Sequence, residues 1–383
     1  MVGKEINFRK CNRCILDTND YPGISFDVNG VCNICKTYDD LAEKAFFNPE
    51  EREKRLSEII SEIKKKGKNK KYDCIIGISG GIDSTFLAYQ AKIFGLRPLL
   101  FHLDNGWDSE LAVSNIENIT NKLGFDLYTY VIDWNEFRDL QLAYLKASVV
   151  DIEAITDHAI TASLFKTARK FHIKYHLYGE NLVTEGILPP NWVHNKSDYL
   201  NIKAIHKRFG TLKLKTYPYL TFLSRLYYVY FYKLKTIRLL NYLNYNKENA
   251  KSILMKETGW RDYGGKHYES IFTRFYQSYI LPEKFNIDKR KSHLSTLICS
   301  GQITRMQAFE EIKLPPYDKI KLLEDKEYFL KKLGLSNDEF EKFMQNPIIK
   351  HTDYPSIMNI YHKLFKIYNF LKFWKNYNKN SSK

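Results

Sequence analysis

Apolar and polar residues follow two rhythms in the first half of the chain. Over Glu50–Lys66, Leu56, Ile59, Ile60 and Ile63 recur at helical spacing and form one stripe. The lysine-rich stretch Lys64–Lys71 then reads as a polar hinge rather than a nucleic-acid site. From Tyr72 the rhythm changes. The apolar run Asp73–Ile78 predicts a buried strand, Asp83–Phe94 a helix, and "RPLLFHLD" the next strand. A helix over Ser109–Leu123 should stop at Gly124. "DLYTYVID" predicts a third strand, Trp134–Ala147 and Asp157–Phe171 two helices, and "KYHLYGEN" a fourth strand. Strands separated by helices predict an α/β domain, a parallel sheet covered on both faces. Ligands of such sheets lie at the carboxyl ends of the strands. Here those ends are Ser79–Gly81, His102–Trp107, Asp133 and Gly179–Asn181.

Beyond about residue 215 the strand signal fades. "YLTFLSRLYYVYFYKLKTIRLLNYL" predicts an unusually aromatic helix. Arg225, Lys233, Lys235 and Arg238 do not share one face of it, which argues against a membrane-lying or nucleic-acid-binding helix. It reads as a buried helix or as a docking surface. The expected organisation is 1–45 a metal ribbon, 46–71 a helix and linker, and 72–215 the sheet domain. A helical domain over 216–376 completes the site, and 377–383 form a disordered tail.

Composition narrows the class. The 383 residues are 44% hydrophobic and 15% aromatic, enough for a large core. The net charge is +15. It fits either a lysine-rich solvated surface or an anionic partner. The N-terminus lacks the apolar core of a signal peptide, and no run approaches the roughly 18 apolar residues of a membrane span. A soluble, cytoplasmic protein is expected, with its six cysteines reduced or metal-bound.

"GISGGIDS" sits at the first strand-to-helix junction. It lacks the lysine of a Walker loop, and its glycines are adjacent rather than spaced as in a dinucleotide fingerprint. The physics is related: backbone N–H groups at a helix start face a turn where glycine permits close approach of an anion. Ser79, Gly80, Gly81 and Ser84 are candidates for binding phosphate, and Asp83 for holding a divalent cation that bridges phosphates.

Cys11, Cys14, Cys32 and Cys35 form C-x₂-C-x₁₇-C-x₂-C, the spacing of a zinc ribbon, with free thiols or an iron–sulfur cluster as the other readings. Four thiolates would close a structural site. Cys74 lies in a predicted strand and Cys299 stands alone, so no pair is evident to carry sulfur. The segment Gly259–Ile312 concentrates polar groups: Lys266, His267, Glu269, Asp288, Arg290, Lys291 and His293. Its cations are placed to neutralise phosphate, or they line a charged helix surface. His158, His172 and His176 read as structural.

The glycine loop resembles that of the PP-loop ATP pyrophosphatase superfamily, whose fold is adenine-nucleotide alpha-hydrolase-like. "CNRCILDTNDYPGISFDVNGVCNIC", "HLDNGWDSELAVSNI", "TDHAI", "YGENLVTEG" and "GWRDYGGKHYESIFTRFYQSYILPEKFNIDKRKSHLSTLICSG" sharpen this. Over roughly residues 8–315 the chain is similar to the N-acetyl sugar amidotransferases of surface-polysaccharide (lipopolysaccharide O-antigen) biosynthesis. The resemblance implies that an acetamido group on a nucleotide-linked sugar becomes an acetamidino group through an O-adenylyl imidate. It implies ATP, Mg²⁺ and a structural Zn²⁺. Since the chain has no glutaminase nucleophile, it also implies ammonia from a separate glutaminase with a cyclase-like companion.

Under that resemblance Ser79, Gly80, Gly81, Asp83 and Ser84 hold pyrophosphate and its metal. Asp104–Trp107 and Gly179–Asn181 touch nucleotide or sugar. Glu180 positions Mg²⁺ or guides ammonia's proton. Lys266, Asp288 and Lys291 stabilise phosphate and intermediate. The alternatives are a tRNA-thiolating PP-loop enzyme and a nucleic-acid-binding module with a vestigial loop; neither nucleic acid nor a transmembrane segment is expected.

Overall fold

The computed structural model describes residues 8–45, 48–265 and 268–359. Five strands form one sheet: β1 (Cys74–Gly77), β2 (Pro98–Asp104), β3 (Asp126–Val131), β4 (Tyr175–Leu177) and β5 (Lys235–Ile237). Their order is β3-β2-β1-β4-β5 and every pairing is parallel. Ile75 pairs with Leu99 on one side and His176 on the other, so β1 is central. Side chains alternate between faces along a strand. Ile75 therefore enters one core with Leu99, Phe101 and Leu164, while Cys74 and Ile76 enter the other with Leu87, Leu100 and Ile119. Burial on both faces explains the unbroken apolar run of β1.

The helices start and stop on local chemistry. Ser109 accepts from the Ala112 N–H ahead of helix Glu110–Leu123, and Gly124 ends it at φ 66°. Asp133 likewise caps Trp134–Ala147 through the Glu136 N–H. Helix Ile82–Ile93 is different: Gly81 stands at its N-cap and no side chain caps it.

Three expectations need correction. The aromatic segment is not one helix. Its helical part ends with a π-helical turn at Tyr227–Phe231, and after three intervening residues β5 joins β4. Tyr232 stops it: its hydroxyl donates to Ala168 O and Ile173 O, both at 2.9 Å, and the backbone turns toward the sheet edge. The boundary at residue 215 therefore falls inside the sheet domain, which needs Lys235–Ile237 for its fifth strand. The ribbon also carries more helix than its sequence pattern predicts, since Asn33–Ala45 is helical and Cys35 lies in its first turn.

Nor is the ribbon an appendage. Arg305 donates to Cys11 O at 2.6 Å and to Cys14 O at 3.0 Å. Ile15 packs with Leu294 and Ala308 from the C-terminal helices. Those helices centre on Phe275, Phe329 and Phe340, beside the buried pair Arg274–Asp325 at 2.6 Å. No described helix is long and apolar enough to cross a membrane. The predicted tail, 377–383, lies outside the described residues.

Candidate functional site

The strand order reverses around β1: β2 and β3 lie to one side, β4 and β5 to the other. The crevice beyond the carboxyl ends of β1 and β4 is the switch point of the sheet, where ligands of open α/β folds bind. Ser79–Ser84 follows β1, and Gly179–Asn181 follows β4. The two loops touch. A Cβ on Gly179 would sit 3.3 Å from Ser84 Cα and Ser84 N.

Gly80 is required twice over. Its φ is +79°, and a Cβ there would lie 2.7 Å from the carbonyl oxygen of Ala112. Trp260 Nε1 donates to Gly80 O at 2.8 Å and fixes the turn from the far side. Gly81 N donates to Ser79 Oγ at 3.3 Å, and Ser84 Oγ donates to Gly81 O at 3.1 Å. The result is a small ring of N–H and O–H groups at an uncapped helix start.

Asp83 stands in the first turn of that helix. The Tyr245 hydroxyl donates to its Oδ1, and Thr184 Oγ1 donates to Oδ2 at 3.4 Å. Burial, then the neighbouring Asp83, pushes the Tyr245 phenol well above its usual range. Burial, then Glu269 and Asp83, does the same to Tyr263. Both phenols therefore stay protonated at neutral pH and remain donors. Glu269 Oε1 and Tyr263 OH lie 3.1 and 3.2 Å from where a Gly81 Cβ would be, so they face the loop directly. The backbone brings them there: Ser109 N donates to Glu269 O at 2.8 Å, and Ile271 N to Trp107 O at 2.9 Å. Trp260, Tyr263, Tyr245 and Thr184 did not stand out in the sequence. Trp260 and Tyr263 fall within "GWRDYGG" and Thr184 within "YGENLVTEG", but the sequence singles out none of them.

The other expected residues divide. Asp104 Oδ1 accepts from Gly106 N at 2.8 Å and shapes the turn after β2. Trp107 is 0% exposed, against Phe272 and Phe329, and Nε1 donates to Gln141; this corrects its expected contact with ligand. Glu180 lies at the end of β4, paired with Arg238 at 2.9 Å. Asp288 and Lys291 are corrected too. Both Asp288 oxygens receive the Arg290 guanidinium, at 3.0 and 2.6 Å. The Lys291 ammonium sits between Asp17 at 3.0 Å and Asp20 at 2.9 Å, so it ties the ribbon to the C-terminal helices. Lys266 and His267 lie outside the described residues.

The four ribbon sulfurs all lie within 4.8 Å of one another and are buried. Cys11 and Cys35 are 4.0 Å apart, Cys14 and Cys32 3.8 Å. A tetrahedral ion with metal–sulfur bonds near 2.3 Å places its sulfurs about 3.8 Å apart. The set fits one ion; a cluster of several irons would hold its thiolates wider. Backbone N–H groups of Cys14 and Cys32 point at Cys11 Sγ at 3.4 and 3.3 Å, as a thiolate requires. Among the described residues this is the one group of Cys, His, Asp and Glu placed to hold a metal. Cys299 does not stand alone, as its sequence position implied: its sulfur is 3.6 Å from Cys35 Sγ, outside the four-sulfur set.

No curated protein matches this chain. Among solved structures it is similar to NMN synthetase from Francisella tularensis at 15% identity, covering 57% of this chain and 89% of that one, TM-score 0.29. It is similar to NH3-dependent NAD synthetase from Campylobacter jejuni subsp. jejuni at 12%, covering 78% and 98%, TM-score 0.30. It is also similar to U34-tRNA thiolase NcsA from Methanococcus maripaludis at 12%, covering 84% and 96%, TM-score 0.32. At such low superposition the fold rests on the sheet order and the glycine loop themselves. Residues 269–371 match the family described as LPS biosynthesis protein WbpG-like, C-terminal domain. That match begins at Glu269, the residue that faces Gly81. Over these residues, about a quarter of the chain, it is similar to the C-terminal domain of WbpG-like LPS biosynthesis proteins.

Proposed function

We propose that this chain is an ATP-dependent amidotransferase that converts the acetamido group of a nucleotide-linked sugar into an acetamidino group. One observation carries the reading. At the switch point of a parallel sheet, Gly80 holds φ +79° beneath Ala112, just ahead of an uncapped helix that carries Asp83 in its first turn. That geometry suits the pyrophosphate leaving ATP, and the likeness of residues 269–371, which begin beside Gly81, to an LPS-biosynthesis domain favours a sugar substrate.

The amide oxygen of the substrate attacks the α-phosphorus of ATP, and the bond to pyrophosphate breaks. Amide oxygen is a poor leaving group, whereas AMP is a good one. Ammonia then adds to the imidate carbon, AMP departs with the former amide oxygen, and loss of a proton leaves the amidine. Ser79, Gly81 and Ser84 donate to pyrophosphate as its charge develops. Asp83 presents a hard carboxylate beside the loop, which fits Mg²⁺; the ion, when bound, screens the phosphates. Tyr245 orients that carboxylate. Trp260 and Tyr263 wall the loop and keep water from the imidate. Glu180, held by Arg238, receives the proton from ammonia, and Lys266 supplies positive charge to the phosphates.

The ribbon ion is zinc in this reading and acts through structure alone. Ammonia comes from a separate glutaminase with its cyclase-like companion, and the protein works in the cytoplasm. The test is incubation of the chain with ATP, Mg²⁺, ammonium and a panel of UDP-acetamido sugars. AMP should form only with an accepted sugar, whose mass should fall by the difference between O and NH. AMP formation independent of sugar would remove the substrate assignment.

A further inference from the structure

The segment Phe222–Phe231 carries its apolar side chains outward. Leu223 is 75% exposed, Tyr230 68% and Phe231 79%. It is not a loose loop. Tyr228 and Tyr232 are buried beneath it, the Tyr232 hydroxyl is doubly bonded to backbone, and Leu234 N donates to Tyr228 O at 2.9 Å. A rigid turn thus displays aromatic and aliphatic tips to the outside.

The stretch of sequence around it carries one sign of charge, although Lys235 pairs with Glu62 and Arg238 with Glu180 from other elements. Between Tyr199 and Lys247 the sequence holds ten lysines and arginines and no aspartate or glutamate. Beside the turn, Lys166, Arg169, Lys170 and His172 line a cleft of about 380 Å³ closed by Tyr228. Arg169 lies 5.1 Å over the Tyr227 ring, which joins this cleft to the exposed turn. Among the described residues, no carboxylate pairs with Lys166, Arg169 or Lys170. The helical-wheel objection raised by the sequence falls away, because the cleft's cations come from the neighbouring helix Ala154–Lys170 and its end, not from the aromatic segment.

We propose that this face docks the protein on an anionic lipid bilayer, with Leu223, Tyr230 and Phe231 in the headgroup–acyl boundary and lipid phosphate in the cleft of Lys166, Arg169 and Lys170. The arrangement favours lipid over a protein partner. Protruding Phe, Leu and Tyr tips seat in an interface that needs no shaped pocket, and unpaired cations beside them meet a diffuse negative surface. The surface is independent of the glycine loop and does not rest on the proposed reaction.

Flotation of the full chain with phosphatidylcholine vesicles, with and without about 30 mole per cent phosphatidylglycerol, tests it. The chain should float with the anionic vesicles only, and less so as salt rises. Leu223→Ser with Phe231→Ser should weaken binding at least about ten-fold. Lys166→Ala with Arg169→Ala should weaken it roughly five-fold per charge. Both pairs should melt as the parent does. Equal flotation with neutral vesicles, undiminished binding by both pairs, or a soluble dimer that the serine pair splits without any vesicle binding would each overturn the proposal. The last outcome would assign the face to a protein contact.

Discussion

The turn Ser79–Ser84 and the helix start Asp288–Lys291 are both crowded with polar groups, yet they behave oppositely. At Asp288–Lys291 three of the four charges find fixed partners: Asp288 takes Arg290, and Lys291 takes Asp17 and Asp20. The two groups expected to meet a substrate, Asp288 and Lys291, are both held in ion pairs. At Ser79–Ser84 the backbone bends into a conformation that only glycine adopts comfortably, and the helix start has no side-chain cap. Charge density alone does not make a site. A site forms where the chain leaves a helix start uncapped and accepts an unusual backbone conformation to do so.

That contrast can be broken by substitution. Loss of the ribbon metal should have the largest effect, since structural zinc contributes on the order of 10 kcal/mol in small zinc domains. Cys14→Ser or chelation should release the C-terminal helices from Cys11 and Cys14 carbonyls, read as a large fall in melting temperature. Asp83→Ala should lower AMP formation by about 100-fold or more while melting stays near the parent value. Gly80→Ala meets both a positive φ and the Ala112 carbonyl, and should cost about 1–3 kcal/mol of stability along with activity, by denaturant melting. Lys291→Ala should reverse the pattern. It strips two buried carboxylates of their cation and should destabilise by about 1–3 kcal/mol after screening, with AMP formation per folded molecule retained.

The smallest effect is one of pH. Burial works against the Glu136 carboxylate, but the N–H groups of Lys215, Thr216 and Tyr217 outweigh it and hold its pKa below the usual range. A depressed carboxylate adds stability above its unfolded pKa, about 4.3, and loses it as pH falls through the lower folded value. Glu136→Gln should therefore be less stable than the parent at pH 7, and the gap should close in acid melts.

The central sheet and its loop were legible because their signals are local. Continuous burial writes an apolar run for β1, and a positive φ beside a backbone roof writes Gly80. The four cysteines declared themselves by spacing, and their sulfurs fit one ion. Tyr245, Tyr263 and Trp260 reach the loop from as far as 180 residues away in sequence, and long-range contact leaves no period to read. Lys291 misled for the same reason, since Asp17 and Asp20 lie more than 270 positions before it. Strand β5 was missed because a three-residue edge strand within an aromatic, lysine-rich run shows no alternation of its own.

The account stands on the amide oxygen being activated at the α-phosphorus of ATP above the loop at Ser79–Ser84. The most direct measurement gives the chain an accepted sugar labelled with ¹⁸O in its acetamido carbonyl, together with ATP and ammonium, and follows the label by phosphorus NMR and mass spectrometry. The account predicts ¹⁸O in the phosphate of AMP and none in pyrophosphate. Label retained by the sugar, or release of ADP and inorganic phosphate instead, would contradict it.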